Sequence, residues 1–258
     1  MDCSQNLIFN EKKGGISADW LKVIAMITMV IDHTGAVLFP GDALWRVVGR
    51  IAFPIYVWLL IMGFIHTSNV RKYILRMAIF SLISEIPFDL ALTGSLYTFR
   101  WQNVFWTLTL SLIMLYFLEK ILENKEEKQQ RYVILQVGIL IFSAMAIAEW
   151  LHFDYGCTGP ALAAVFYFYA KYQKPSLLAG FFLFCLSYVL DPLFNGYAQN
   201  VSVAVHTVYA SVNSELCGII AVPLIGRYNG VRNWKRGKYL FYLFYPVHLM
   251  ILYGISLL

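Results

Sequence analysis

Charge is scarce in this chain. Only 14% of its 258 residues are Asp, Glu, Lys or Arg, 59% are apolar or aromatic, and mean hydropathy is +0.62. That excludes a disordered chain and an ordinary soluble domain, where about half of the residues are apolar and about a quarter charged. The four cysteines, Cys3, Cys157, Cys185 and Cys217, form no C-x-x-C pair and no Cys/His ligand spacing, so neither a zinc site nor a disulfide framework is indicated and no metal is expected. Internal repeats and low-complexity tracts are missing too. Apart from the charged stretch EKILENKEEKQQR at 119–131, no linker divides the chain, and one polytopic domain over 1–258 is the expectation. A cleavable leader is not indicated: the first 19 residues are polar, and the apolar run after them is long and lacks a small-residue cleavage site.

What the chain does have is long apolar runs. A helix needs about 20 residues to cross the hydrocarbon. Nine candidate spans follow, at 20–40, 51–66, 73–92, 104–121, 132–151, 157–170, 177–190, 204–226 and 239–257. The sixth and seventh are short enough to be tilted, extended, or paired as a re-entrant hairpin. With the N-terminus cytoplasmic, all of the 20 Lys and Arg residues except Arg46, Arg50 and Arg100 fall on the inner side, which predicts that orientation and an external C-terminus. The net charge of +5 is then a signal of topology, with no nucleic-acid partner implied. The fold class expected is an all-α transmembrane bundle.

Ionisable side chains are costly inside spans, which makes each a functional candidate, the alternative being a pair that holds helices together. In the orientation above, Asp32, His33, Arg46, Arg50, Glu85, Asp89, Arg100, Glu149, His152, Asp154, Asp191, His206 and His248 lie at mid-membrane or toward the outside, predicting an outward-opening polar cavity. His33 lies about 20 Å along the first helix, and Lys22, Met26, Met29 and His33 share one stripe of it, unless that stripe is ordinary packing. Asp32 falls about 100° round the helix from His33 and is expected to anchor Arg50 or another helix. Glu85 and Asp89 share a face, as do Arg46 and Arg50, so these four either neutralise one another or bind substrate. His248 sits near the middle of the last span beside Tyr245 and Pro246 and is expected in the site. Glu215 reads as a structural acid or part of a proton path, while His152, Asp154 and His206 fall near external span ends and read as solvent-exposed or interfacial. His66, Arg71, Lys72 and Arg76 form a basic cluster on the inner side.

Five blocks in order, WLKVIAMITMVIDHTGAVLFP (20–40), RVVGRIAFPIYVWLLIMGFIHT (46–67), RMAIFSLISEIPFDLAL (76–92), NVFWTLTLS (103–111) and KYLFYLFYPVHLMILY (238–253), closely resemble the TraX family of pilin acetylation-type membrane proteins. That family looks like a relative of the family-3 membrane acyltransferases and the lysosomal heparan-glucosamine acetyltransferase. Those family-3 enzymes carry a basic residue, ten residues, then a catalytic histidine on the first helix, and Lys22 and His33 match that spacing, with lysine where arginine is common. The resemblance implies a bacterial inner-membrane acetyltransferase using acetyl-CoA as co-substrate and an extracytoplasmic peptide or glycan as acceptor. It implies CoA phosphates near Lys22, His66, Arg71, Lys72 and Arg76. His33 becomes general base or acyl acceptor with Asp32 and His248 beside it. Arg46, Arg50, Asn103, Glu85 and Asp89 become candidates for holding the acceptor or, for the arginines and Asn103, polarising the thioester.

Two rivals place polar groups in spans as well. A proton-coupled transporter or flippase would show inverted repeats and interrupted helices in matching halves, and the sequence has neither. An assembly scaffold without chemistry would tolerate loss of His33.

Overall fold

A computed structural model describes residues 14–123, 130–173, 176–177, 217–232 and 238–258. Among these residues the chain is helical: α1 (Ala18–Leu38), α2 (Ala43–Gly49), α3 (Ala52–His66), α4 (Val70–Thr93), α5 (Val104–Glu123), α6 (Gln130–Trp150), α7 (Thr158–Tyr172), the short α8 (Ala221–Gly226) and α9 (Lys238–Ser256). Extended pairing is limited to two isolated bridges, Ile16 with Tyr228 and Gln102 with Phe153.

Local chemistry explains the boundaries. Ser17 caps α1 by accepting from the Trp20 amide at 3.4 Å, and Asp19 adds negative charge at the positive end of the helix dipole. Asp42 caps α2 and Asn69 caps α4 in the same way, at 3.0 and 2.9 Å. Helix α4 ends at Gly94, whose φ of 69° a side chain would resist and whose amide bonds the Leu90 carbonyl. Asn103 opens α5 by accepting from the Phe105 amide at 3.0 Å.

Five helices are long and apolar enough to cross a membrane: α1, the α2–α3 unit (Leu44–His66), α5, α6 and α9 from Tyr239. The expected number was about nine. Helix α4 has the length, but Arg71, Lys72, Arg76, Glu85 and Asp89 dilute its hydropathy, and α7 has only 15 residues. The seventh expected span and most of the eighth lie outside the described residues.

Helices α1, α9, α4, α5, α7 and α3 each pack on the next, and α3 returns to α1, closing a ring. Helix α3 contributes most to the interior: Ile55, Val57, Trp58 and Ile61 are fully buried. Trp58 meets Phe166 of α7 edge-on at 5.9 Å and Tyr228 at 6.1 Å. Helix α6 packs outside the ring on α5 and α7, burying only Ala144 and Ala148 and exposing Ile134, Leu135, Ile139 and Phe142. Small residues set the tightest approaches. A methyl group at Gly49 would overlap the Asp32 side chain, and one at Gly35 would overlap Trp45, so α2 can lie against α1 only because both positions are glycine.

Each end of the ring is tied by backbone. At one end, the Ile16 amide bonds the Arg227 carbonyl at 2.8 Å and the Ala18 amide bonds Val231 at 2.9 Å. At the other, the Gln102 amide bonds the His152 carbonyl and the Asp154 amide bonds Gln102, both at 2.9 Å.

Candidate functional site: two cavities meeting beneath a histidine pair

Two cavities enter the ring from its opposite ends. One, of about 430 Å³, lies at the end where α1 finishes and is lined by Asp32, His33, Arg46, Arg50, Asp154 and Tyr155 among others. The other, of about 540 Å³, lies where α1 begins and carries Lys22, His66, Tyr73, Arg76, Arg232 and Tyr242 on its wall. Met29, Tyr56, Val104 and Tyr245 line both, so the cavities meet at one thin partition.

Helix α1 runs along both cavities: Lys22 faces one, Met29 the partition and His33 the other, while Met26 of the expected stripe lines neither. Asp32 lines the same cavity as His33 despite its different angle on the helix, because α2 crosses α1 there and extends the wall. Its carboxylate accepts from Arg46 at 3.1 Å, so the ion pair joins α1 to α2; Arg50 lines the cavity next to it with its guanidinium 6.0 Å from the Tyr155 ring.

Behind His33 stands His248 of α9. Both are buried, with His33 Nδ1 2.7 Å from His248 Nε2 and the two rings nearly parallel at 7°. His248 Nδ1 in turn lies 2.8 Å from the Phe244 carbonyl oxygen. Tyr245 meets both imidazoles edge-on at 5.7 and 5.6 Å, and Phe244 stacks on His248.

The remaining expected residues divide. His66 and Arg76 line the Lys22-end cavity, and His66 Nδ1 bonds the Met62 carbonyl at 2.7 Å. Arg71 and Lys72 are exposed and line neither cavity; Arg71 reaches the Tyr116 hydroxyl at 3.4 Å. Glu85, Asp89 and Asn103 also lie outside both cavities, in a buried cluster that fixes α4 to α5 and to the loop between them. There the Asn103 side-chain amide donates to Glu85 and to the Ser81 carbonyl. Trp106 donates to Glu85 at 2.8 Å, and the Thr98 amide donates to Asp89 at 2.8 Å. Asp191, His206 and Glu215 lie outside the described residues.

Sequence reading missed several cavity residues. Asp154, expected at an external span end, is carried into the His33 cavity by the 151–157 turn, in which His152 (φ 54°), Tyr155 (φ 63°) and Gly156 (φ 40°) all take left-handed backbone. Burial pushes the Asp154 carboxyl up to about 6, against the pull of Arg50 and Arg46. Thr107 donates its hydroxyl to the Asp154 carbonyl and helps hold this turn. Tyr245 at the partition had been noted only as the neighbour of His248; Tyr56 beside it and Tyr73 at the other end carried no signal beyond their residue type, and Arg232 counted only as a charge of topology.

The class is therefore a helical membrane protein whose ring of helices holds two opposed cavities, one of them lined by His33 of a buried histidine pair. The profile of the TraX protein family matches residues 17–256, and the chain belongs to that family. It is 30% identical over 250 residues to the probable fimbrial assembly protein FimC, serogroup H1, of Dichelobacter nodosus, an alignment covering 92% of this chain and 94% of the relative. A short stretch of 38 residues is 47% identical to the uncharacterized protein RP591 of Rickettsia prowazekii (strain Madrid E), covering 15% of each chain. No solved structure matches the chain.

Proposed function

We propose that the protein is an acetyltransferase of the bacterial inner membrane that moves an acetyl group from cytoplasmic acetyl-CoA to an amine or hydroxyl of an extracytoplasmic acceptor. In this reading the chain crosses the membrane about nine times with its N-terminus inside, and the Lys22 end of the ring faces the cytoplasm. The observation that carries it is the abutment of two cavities at Met29, Tyr56, Val104 and Tyr245, with His33 on the far side of that partition.

The Lys22-end cavity suits acetyl-CoA in kind. Its cations, Lys22, Arg76 and Arg232, match phosphates, which charged nitrogens bind through strong charge-assisted hydrogen bonds. Its deeper wall of Leu59, Leu60, Met77, Phe105 and Leu108 suits an uncharged pantetheine arm directed at the partition. A thioester that passes between the partition side chains meets His33 on the far side. Two routes are open to the imidazole. As general base it takes the proton from the acceptor while the acceptor's nitrogen or oxygen attacks the carbonyl carbon; the C–S bond breaks and the CoA thiolate leaves. As nucleophile it forms the acyl bond itself, releases the thiolate, and passes the acetyl group on. Arg46 and Arg50 stand where they can stabilise negative charge on the carbonyl oxygen. The fimbrial assembly name of the Dichelobacter relative supports an extracytoplasmic protein acceptor.

The test is release of CoA thiol from acetyl-CoA by the full-length protein in lipid nanodiscs. His33→Ala is expected to lower turnover about 10²- to 10⁴-fold, the usual worth of a general base, with acetyl-CoA binding retained. A His33→Ala variant that turns over normally, or protein that neither binds nor consumes acetyl-CoA, sinks the proposal and leaves the transport or scaffold reading.

A further inference from the structure

The hydrogen-bond chain through the histidine pair ends on a group that can only accept. The Phe244 carbonyl offers no proton, so His248 Nδ1, 2.8 Å away, must be the donor. A neutral His248 with its proton on Nδ1 has a bare Nε2. That lone pair faces His33 Nδ1 at 2.7 Å, so the proton between the rings belongs to His33 Nδ1. His33 is then left with its lone pair on Nε2. The reverse arrangement, with His33 Nδ1 accepting, requires a cationic His248 donating from both nitrogens. It would put a positive charge on a buried ring, 6% exposed, behind a cavity whose arginines, Arg46 and Arg50, are already matched by Asp32 and Asp154, so no carboxylate there is left over to offset it.

We infer that His248 is a positioning residue that locks His33 in the Nδ1–H tautomer, making Nε2 the nitrogen presented to the reaction. This deepens the acetyltransferase reading and rests on it for its catalytic meaning, while the tautomer itself stands independently of any activity. The same geometry bears on ring orientation. Phe244, half-buried, stacks on His248 at 5.1 Å, and the buried Tyr245 packs edge-on against both imidazoles, contacts that favour the observed ring orientations. When His33 Nε2 takes a proton, the Nδ1 proton can shift to His248 Nε2, with the Phe244 carbonyl still accepting from His248 Nδ1. The charge is thereby spread over two rings. Histidine orientation by a partner at the second nitrogen is a general device, and for metal-bound histidines its removal costs on the order of 10- to 100-fold, the scale taken for His248.

The deciding measurement is ¹⁵N NMR of the full-length chain in nanodiscs with ¹⁵N-histidine, which reads protonation at each ring nitrogen; with five histidines, single variants assign the signals. The expected wild-type result is a protonated Nδ1 and a bare Nε2 on His33. In His248→Leu the His33 proton should move toward Nε2, and turnover should fall on the order of 10- to 100-fold with the KM for acetyl-CoA unchanged. His248→Gln places an acceptor oxygen where Nε2 stood, and should restore both the Nδ1–H signal and turnover to within about tenfold of wild type. A wild-type His33 protonated at Nε2, or a tautomer indifferent to both substitutions, overturns the inference. If His248→Leu does not fold, the wild-type spectrum and His248→Gln decide it. If the spectra agree but no acetyl-CoA is consumed, the acetyltransferase reading fails and the tautomer lock stands.

Discussion

The two cavities share a partition and differ in almost everything else. The His33 cavity balances its charges: Asp32 and Asp154 share its wall with Arg46, Arg50 and an imidazole. Around the Lys22-end cavity stand Lys22, Arg76 and Arg232, with no Asp or Glu among the described residues of its wall; Asp19 pairs with Lys22 from outside it at 3.4 Å. A wall with an excess of cations attracts a polyanion. A compensated one keeps a neutral reacting group in a defined electrostatic setting and leaves proton transfer to the histidine. Separation of binding charge from reacting charge by a few apolar side chains is what the comparison teaches.

That division can be broken from either side. The largest expected effect comes from the cationic wall: Arg76→Gln with Arg232→Gln should raise the KM for acetyl-CoA by about 100-fold, on the order of tenfold for each lost charged hydrogen bond, with kcat little changed. Steady-state kinetics in nanodiscs read this directly, and an equal fall in kcat would place these arginines in the chemistry. A smaller effect is expected from Asp154. Its carboxyl is shifted from 3.8 to about 6 in the folded protein, so the folded state binds a proton that the unfolded state has already released between those values. This group therefore stabilises the fold at low pH and loses that contribution as pH rises from about 4 to about 6. Melting temperatures of wild type and Asp154→Asn should converge near pH 4, and the wild type should fall below the variant by pH 7. Parallel curves would refute the shift. The smallest effect belongs to Arg71→Gln. Because Arg71 reaches Tyr116 outside the cavity, the KM for acetyl-CoA should change less than about twofold, within the range of exposed charge pairs. A tenfold change would extend the binding wall to that face.

Much of the site was legible because one helix carries it. Lys22, Met29 and His33 lie on α1, where fixed helical geometry converts spacing directly into a stripe, and the two ends of that stripe reach different cavities. His248 was legible as an isolated imidazole in an apolar run. Charge alone was a poorer guide. Glu85 and Asp89 sit at the right depth and spacing for a site, yet their hydrogen bonds go to Asn103, Trp106 and Thr98, and they brace α4 against α5. Arg71 lies well round α4 from the cavity-lining Arg76, and Lys72, one turn before Arg76 on the same face, falls beyond the cavity's edge, a limit set by how the other helices pack on α4. Asp154 was read at an external span end, and its place in the cavity could not be told from the sequence because left-handed backbone at His152, Tyr155 and Gly156 turns it back into the ring.

By itself the sequence determined the class: too few charges and too many apolar runs for water, a helical answer because lipid leaves backbone groups no other partner, and a histidine deep in the first long helix. Only tertiary structure decided that His33 and His248, 215 positions apart, share one proton, and that two cavities stop at the same four side chains. The reason is physical. Period and composition act within a helix, whereas the contact of α1 with α9, and the glycines that let α2 lie on α1, depend on how several helices exclude one another in three dimensions.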